Sequence, residues 1–402
     1  MPTSVPRAAP PRIPPPAVLP IVQMEHSEIL ALRRLFPASE RHVYLNHAGV
    51  APTSTRARDA AVAWLDGAVA DGVLSEPTWE ALTERARAAA ARLVGASPDE
   101  IAFVRNTSHG LALFAEGYDW RPGDEVAVAT SVEYPSNVYP WQHLASRGVA
   151  VREIAAPRLG VEVGEVGRAL GPRTRVVAVS SCQYASGFTS DLDALGALCR
   201  ERGVDLCVDG IQTVGAFATD VKRSGVGFLS ADSHKWMLGI NGVGFAFVDR
   251  ALLPRLRPPA VGWKSTKDAW NFDRATFDLR DDASRLEEGS PAYVAIHAMG
   301  AALELLLEIG VERISARITA LLDRAADGLS ALGAQVGPER RHRSGILTFT
   351  PRGGDARGLY ERLGKERVVA SLRRGAVRVS PHVTTLESDI DHLLDVVRRH
   401  GG

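Results

Sequence analysis

The chain has 402 residues, 47 of them Lys or Arg and 47 Asp or Glu, and 45% are hydrophobic. This is the makeup of a globular protein with one large core and room for a smaller one, not of a disordered or fibrous chain. Equal charges argue against nucleic acid or an anionic membrane as the main partner, since both demand a basic excess, and no stretch approaches the roughly 20 uninterrupted apolar residues that cross a bilayer.

In chain order, residues 1–24 come first, with Pro2, Pro6, Pro10, Pro11, Pro14, Pro15, Pro16 and Pro20. Prolines at this density break any apolar helix, so a secretory signal is not expected and a disordered or polyproline arm is. Met24 is a second candidate start. A short helix over 26–36 leads into the extended segment VYLNHAG (43–49), and an alanine-rich helical stretch is expected over 55–94. Seven apolar runs then read as strands: IAFV (101–104), EVAVAT (125–130), AVREI (150–154), RVVAVSS (175–181), DLCVD (205–209), GFLSA (227–231) and VGFAFV (243–248). Amphipathic stretches such as LDALGALCRERG separate most of them. Short β-branched strands alternating with helices predict a mostly parallel sheet covered on both faces. The long apolar run AYVAIHAMGAALELLLEIG (292–310) is expected to be a helix opening a second unit. The expected division is the arm (1–24), a large α/β domain (25–285) whose first stretch, 25–45, packs on the small domain, and a small α+β domain (286–402). Cys182, Cys199 and Cys207 form no C-x-x-C pair, disulfide framework or metal cluster, so packing roles, no metal and a reducing, cytoplasmic setting are expected.

Ligands of open parallel sheets bind beyond the carboxyl ends of the strands. Four of those ends carry chemistry. IAFV is followed by Arg105-Asn106-Thr107-Ser108-His109-Gly110, EVAVAT by Ser131-Val132-Glu133-Tyr134, DLCVD ends on Asp209 before Gln212, and GFLSA is followed by Asp232-Ser233-His234-Lys235. Pyridoxal 5′-phosphate (PLP) needs this combination. A carboxylate must keep its pyridine nitrogen protonated, which suits Asp209, with Gln212 on the ring oxygen. Hydroxyls at a helix start suit its phosphate, as Thr107 and Ser108 do. A lysine of lowered pKa must capture its aldehyde, which points to Lys235. Tyr134 can stack on the ring. An aspartate or threonine in such a place is commonly just a helix cap; the co-occurrence makes the case. His109 reads equally as a site or a structural residue. The run GINGVG (239–244) is no dinucleotide fingerprint, because it precedes a strand instead of opening a helix.

The segments YLNHAGVAP (44–52), RNTSHG (105–110), EYPSNVYPW (133–141), VDGIQTVGAF (208–217), SHKWMLGINGVGFAFV (233–248), RLEEGSP (285–291) and RVSPH (378–382) resemble, in order, the class V aminotransferase family. These are PLP enzymes of fold type I, including cysteine desulfurases, selenocysteine lyases, kynureninase and isopenicillin N epimerase-like proteins. The EYPSN and CQYASGF segments look closest to the last branch. The resemblance implies a seven-stranded, mostly parallel sheet domain with a smaller α+β domain. It makes Lys235 the cofactor-bearing lysine, Asp209 the partner of the ring nitrogen, and Gln212 and Tyr134 ring-binding residues. Thr107, Ser108 and His234 would hold the phosphate. Ser290 would reach the phosphate of a neighbouring subunit, implying a homodimer with shared sites. Arg378 would pair with the substrate carboxylate, with Asn46 and His47 beside the substrate.

The substrate class so implied is a small amino acid. Desulfurases carry a nucleophilic cysteine in the C-terminal domain, and no cysteine follows Cys207, so persulfide formation is disfavoured. β-Elimination needs none, and C–S lysis of cysteine or a cysteine conjugate is the first reading. Epimerisation, decarboxylation with deamination in specialised metabolism, and transamination are the alternatives. A fold retired to a binding role would be expected to have lost Lys235 or Asp209. Val383-Thr384-Thr385-Leu386 stand where relatives continue with an aromatic residue and an asparagine, which predicts a widened pocket.

Overall fold

The computed structural model describes residues 23–273 and 276–401, so the expected proline-rich arm lies almost wholly outside the described residues. After β1 (Val43–Tyr44) come the strands of the main sheet: β2 (Ile101–Val104), β3 (Glu125–Val128), β4 (Ala150–Glu153), β5 (Thr174–Ser180), β6 (Asp205–Asp209), β7 (Phe228–Asp232) and β8 (Gly244–Val248). The smaller C-terminal part holds β9 (Gln335–Gly337), β10 (Leu347–Thr350), β11 (Val368–Val369), β12 (Ser371–Arg373) and β13 (Ala376–Val379).

The main sheet runs β2-β8-β7-β6-β5-β3-β4, with β4, β3, β5, β6 and β7 paired in parallel and β8 antiparallel to both its neighbours. Strands β2, β3 and β5 to β8 are largely buried because both faces are covered, whereas the edge strand β4 is part-exposed and carries Arg152 and Glu153. Ile101 and Phe103 face one core while Ala102 and Val104 face the other, and Val177 and Val179 alternate likewise with Val176 and Ala178. All seven strand candidates lie in this one sheet.

The stretch expected to be helical over 55–94 is two helices, Thr55–Ala70 and Glu76–Val94. Gly72, at φ 55°, turns the chain in the left-handed region that ends the first. Both pack on helix Tyr293–Ile309, whose apolar surface is thereby buried. Among the described residues no single helix is long and apolar enough to cross a membrane. The small part is an antiparallel sheet, β12-β13-β10-β9, packed by helices Val311–Ala331 and Ala356–Lys365, on which helix Glu387–His400 lies in turn. The N-terminal segment reaches it: β1 pairs in parallel with β11, and Arg33 forms a 2.7 Å ion pair with Asp389. The crevice between β13 and the carboxyl edge of the main sheet is where the strand-end residues converge.

Candidate active site

Because β2, β3, β5, β6 and β7 run in one direction, their carboxyl ends open on one side. There, a cavity of about 410 Å³ is lined by Thr107, Ser108, Tyr134, Asp209, Gln212, His234, Lys235 and Arg378, residues drawn from both parts of the chain.

The wall after β2 is the start of helix Thr107–Gly117. Asn106 caps it, its Oδ1 accepting from His109 N at 2.8 Å, while Gly110 N reaches Asn106 O at 3.1 Å. The helix leaves the N–H groups of Thr107 and Ser108 without intrahelical partners. Thr107 Oγ1 is buried with no hydrogen-bond partner among the described residues, and Ser108 Oγ meets Ser136 Oγ at 2.6 Å. Gly110 allows this helix to lie on β7, since a Cβ there would stand 2.2 Å from Ser230 Oγ. His234 Nδ1 lies 3.0 Å from Asp232 Oδ2 but off the hydrogen-bonding line, so both keep unused hydrogen-bonding capacity beside the cavity. An orphaned hydroxyl, free helix N–H groups and an underused imidazole form a donor set that fits a phosphate.

Deeper in, burial pushes the Asp209 carboxyl up to about 7, against the single hydrogen bond from Ile211 N at 3.0 Å. A carboxylate this poorly satisfied suits a buried cation such as a protonated ring nitrogen. The amide of Gln212 is oriented by neighbours: its Oε1 accepts from Trp236 Nε1 at 2.9 Å and its Nε2 donates to Ala48 O at 3.2 Å. One N–H remains for a ligand. Burial lowers the Lys235 amine to about 8, with Arg378 and Arg373 adding to the effect and Asp209 opposing it. Tyr134 is 49% exposed and meets Tyr184 edge-on at 5.1 Å, so a ring face is open to the cavity.

Arg378, on β13, is the strongest anomaly. It is 1% exposed, yet among the described residues no carboxylate lies within ion-pair distance. Its donors go to Ser371 Oγ at 3.0 Å, Tyr184 O at 2.5 Å and, at 3.4 Å, Asn46 Oδ1. Burial pulls its pKa down to about 10. A buried, unpaired guanidinium is costly to folding unless an anion arrives. The variant Arg378→Met is therefore expected to unfold within about 1 kcal/mol of wild type in urea while its KM for a carboxylate substrate rises about 100-fold. A severe loss of stability with KM unchanged would make the arginine structural.

Several expectations need correction. His47 does not reach the cavity: its Nδ1 lies 3.0 Å from Ser380 O and its ring packs between Trp236 and His382, where burial lowers its pKa to about 4. Alternation along the extended segment turns His47 into the core, while Asn46 faces the guanidinium. Val383, Thr384 and Thr385 are buried away from the cavity and so do not widen it. Cys182, read as packing, lines the cavity, its Sγ 3.0 Å from Ser344 Oγ. His109 and Ser290 line another pocket of about 420 Å³, and Ser290 is exposed on the segment that Glu287 ties to Phe103 N at 2.9 Å.

Sequence reasoning assigned no role to Glu133 or Arg373. Glu133 is buried, accepts from Ser180 N at 2.8 Å and Gln183 Nε2 at 2.7 Å, and so holds the Tyr134 loop against β5; burial raises its pKa. Its place in EYPSN was the available signal.

The family pattern described as Aminotransferase class-V matches residues 43–398. The chain belongs to the class V aminotransferase family. Its cofactor is pyridoxal 5′-phosphate, and its architecture is the fold type I of PLP enzymes. A probable cysteine desulfurase of Methanothermobacter thermautotrophicus is 27% identical over 398 residues, spanning 92% of this chain and 98% of its own. Isopenicillin N epimerase of Streptomyces clavuligerus is 29% identical over 335 residues, spanning 79% of this chain and 84% of its own. The solved cystine C–S lyase C-DES, in complex with its reaction product cysteine persulfide, superposes with a TM-score of 0.85 at 25% identity, covering 91% of this chain and all of that one. The chain is thus a PLP-dependent enzyme of this family.

Proposed function

We propose that this enzyme is a β-eliminating C–S lyase that acts on cysteine or a cysteine conjugate. The observation that carries the reading is the state of the thiols. Burial pushes Cys182 and Cys199 up to about 12 and holds Cys207 well above the usual thiol range, so no thiolate is available to take sulfur from the substrate. Cys182 stands at the cavity, but burial outweighs the opposing effect of Ser344 and keeps it a protonated wall residue. Sulfur then leaves as a small-molecule thiol. The likeness to a solved cystine C–S lyase supports the same class.

The bound cofactor supplies an electron sink for the pair left when a bond at the substrate α-carbon breaks. The residues divide the remaining work. Thr107, Ser108 and His234 hold the phosphate, and Ser290 of a second copy reaches toward it. Asp209 keeps the ring nitrogen protonated, Gln212 donates to the ring oxygen and Tyr134 covers a ring face. The fork of Arg378, with Asn46 beside it, grips the α-carboxylate. Lys235, which anchors the cofactor, becomes a free amine once substrate is bound and accepts the α-proton on Nζ. The sulfur departs from the β-carbon and picks up a proton. The sum is substrate plus water giving pyruvate, ammonia and a thiol.

Homodimerisation belongs to this reading. Ser290 lies outside its own chain's cavity, and Val261, Trp270, Phe272 and Phe277 are exposed on the stretch preceding it, an apolar face suited to a second copy. Three free thiols suit a reducing cytoplasm. The test is product analysis with a panel of amino acids and cysteine conjugates. Pyruvate, ammonia and a thiol in equal amounts are expected. Exchange of the α-proton alone would establish epimerisation instead, CO₂ release would establish decarboxylation, and an amino group retained on the cofactor would establish transamination.

A further inference from the structure

Arg378 is not the only arginine at the cavity. Arg373 lines it too, on the adjacent strand β12. In the β12–β13 register Ser371 stands opposite Arg378 and Arg373 opposite Ala376. Side chains two apart on a strand share a face, and directly paired residues point the same way. Arg373 and Arg378 therefore project from one face of the hairpin, with the single pair Leu372–Val377 between theirs and Arg373 nearer the turn.

The two differ in burial. Arg378 is sealed in the floor, whereas Arg373 is exposed at the rim. Arg373 donates from Nη1 to Leu372 O at 2.9 Å, and among the described residues no carboxylate pairs with it. Its neighbour Arg374 points away, to Ser131 O. The charge of Arg373 is felt inside: it helps to lower the pKa of both Lys235 and Arg378. Two unpaired guanidinium groups on one face repel each other, and the arrangement is relieved only by anions. One α-carboxylate occupies one fork, that of Arg378. The second fork has no partner in a simple amino acid.

We propose that Arg373 is a specificity-determining residue that binds a second anionic group, carried on the distal side of the substrate's sulfur. The substrate class is then an acidic cysteine conjugate, with a carboxylate or similar acid beyond the thioether or disulfide. This rests on the C–S lyase reading of the same cavity, and it adds which conjugates are preferred.

The test compares S-carboxymethyl-L-cysteine with S-carbamoylmethyl-L-cysteine, which match in size and differ in the distal charge. The PLP-loaded enzyme and its Arg373→Gln and Arg373→Lys variants are titrated with each. Binding is read as the change in visible absorbance, turnover as thiol release. Wild type is expected to favour the acid by about tenfold in half-saturation, the scale of a charged hydrogen bond at a partly exposed site. Arg373→Gln should bring that ratio to about one, and Arg373→Lys should keep part of it. Both probes are measured on the same protein, so a partly unfolded variant does not alter the ratio. Equal binding of acid and amide by wild type, or a preference that survives Arg373→Gln, overturns the inference. If the preference depends on Arg373 while no thiol is released, the inference stands and the β-elimination reading falls.

Discussion

Replacing Lys235 with alanine is expected to abolish the visible absorbance band of the loaded enzyme and to slow turnover by roughly 10⁴-fold, since the proposed mechanism has one side chain both anchor the cofactor and carry the α-proton. The structure makes the loss specific to chemistry. Burial penalises the charged form of this amine, lowering its pKa to about 8, so removing it takes no electrostatic support from the fold. The same shift sets a pH dependence for loading. Only the neutral amine attacks an aldehyde, so the rate of cofactor capture by cofactor-free protein should climb with pH and level off above about 8. Stopped-flow absorbance after mixing with PLP measures it. A band that persists in Lys235→Ala, or a capture rate that is flat from about pH 6 to 9, would remove Lys235 from its role.

Asp209→Asn is expected to bind the cofactor and to lose about 10² to 10³-fold in turnover, the scale on which a single preorganised electrostatic contact matters. Asparagine keeps the shape and the acceptor for Ile211 N but cannot hold a proton on the ring nitrogen. Stability should move the other way. The Asp209 carboxyl rises in the fold to about 7 from its ordinary value of 3.8, so the cofactor-free protein is stabilised by the protonated acid at low pH and loses that contribution as pH rises from about 4 to about 7. The asparagine variant lacks this loss. Without cofactor it should match wild type near pH 4 and exceed it by on the order of 3 kcal/mol near pH 8. Urea unfolding at the two pH values checks this. A variant that is less stable at both would mean that Asp209 supports the fold and not the cofactor, and unchanged turnover would exclude it from catalysis.

Much of this was legible in the chain itself, for identifiable reasons. Strands such as IAFV and GFAFV are buried on both faces, so each is a short apolar run. Parallel strands place their carboxyl ends on one side, so Thr107, Tyr134, Asp209 and Lys235 were identifiable from their positions just beyond strands. The break at Gly72 went unread within the stretch 55–94, because alanine-rich helices flank it and the turn depends on both packing against Tyr293–Ile309. His47 misled because it sits beside Asn46 in one motif, and neighbours on an extended chain face opposite ways.

By itself, then, the sequence determined the layered α/β architecture, the family and the strand-end residues proposed to receive the cofactor, because local periodicity and residue type decide these. Tertiary structure alone decided which residues share the cavity across distant segments. It brought Cys182 to the wall, left Arg378 buried without a counterion among the described residues, and set Arg373 on the same face at the rim. The physical reason is that burial, strand register and the packing of the C-terminal sheet against the strand ends fix charge environments, and these are properties of neighbours in space that no stretch of chain encodes locally.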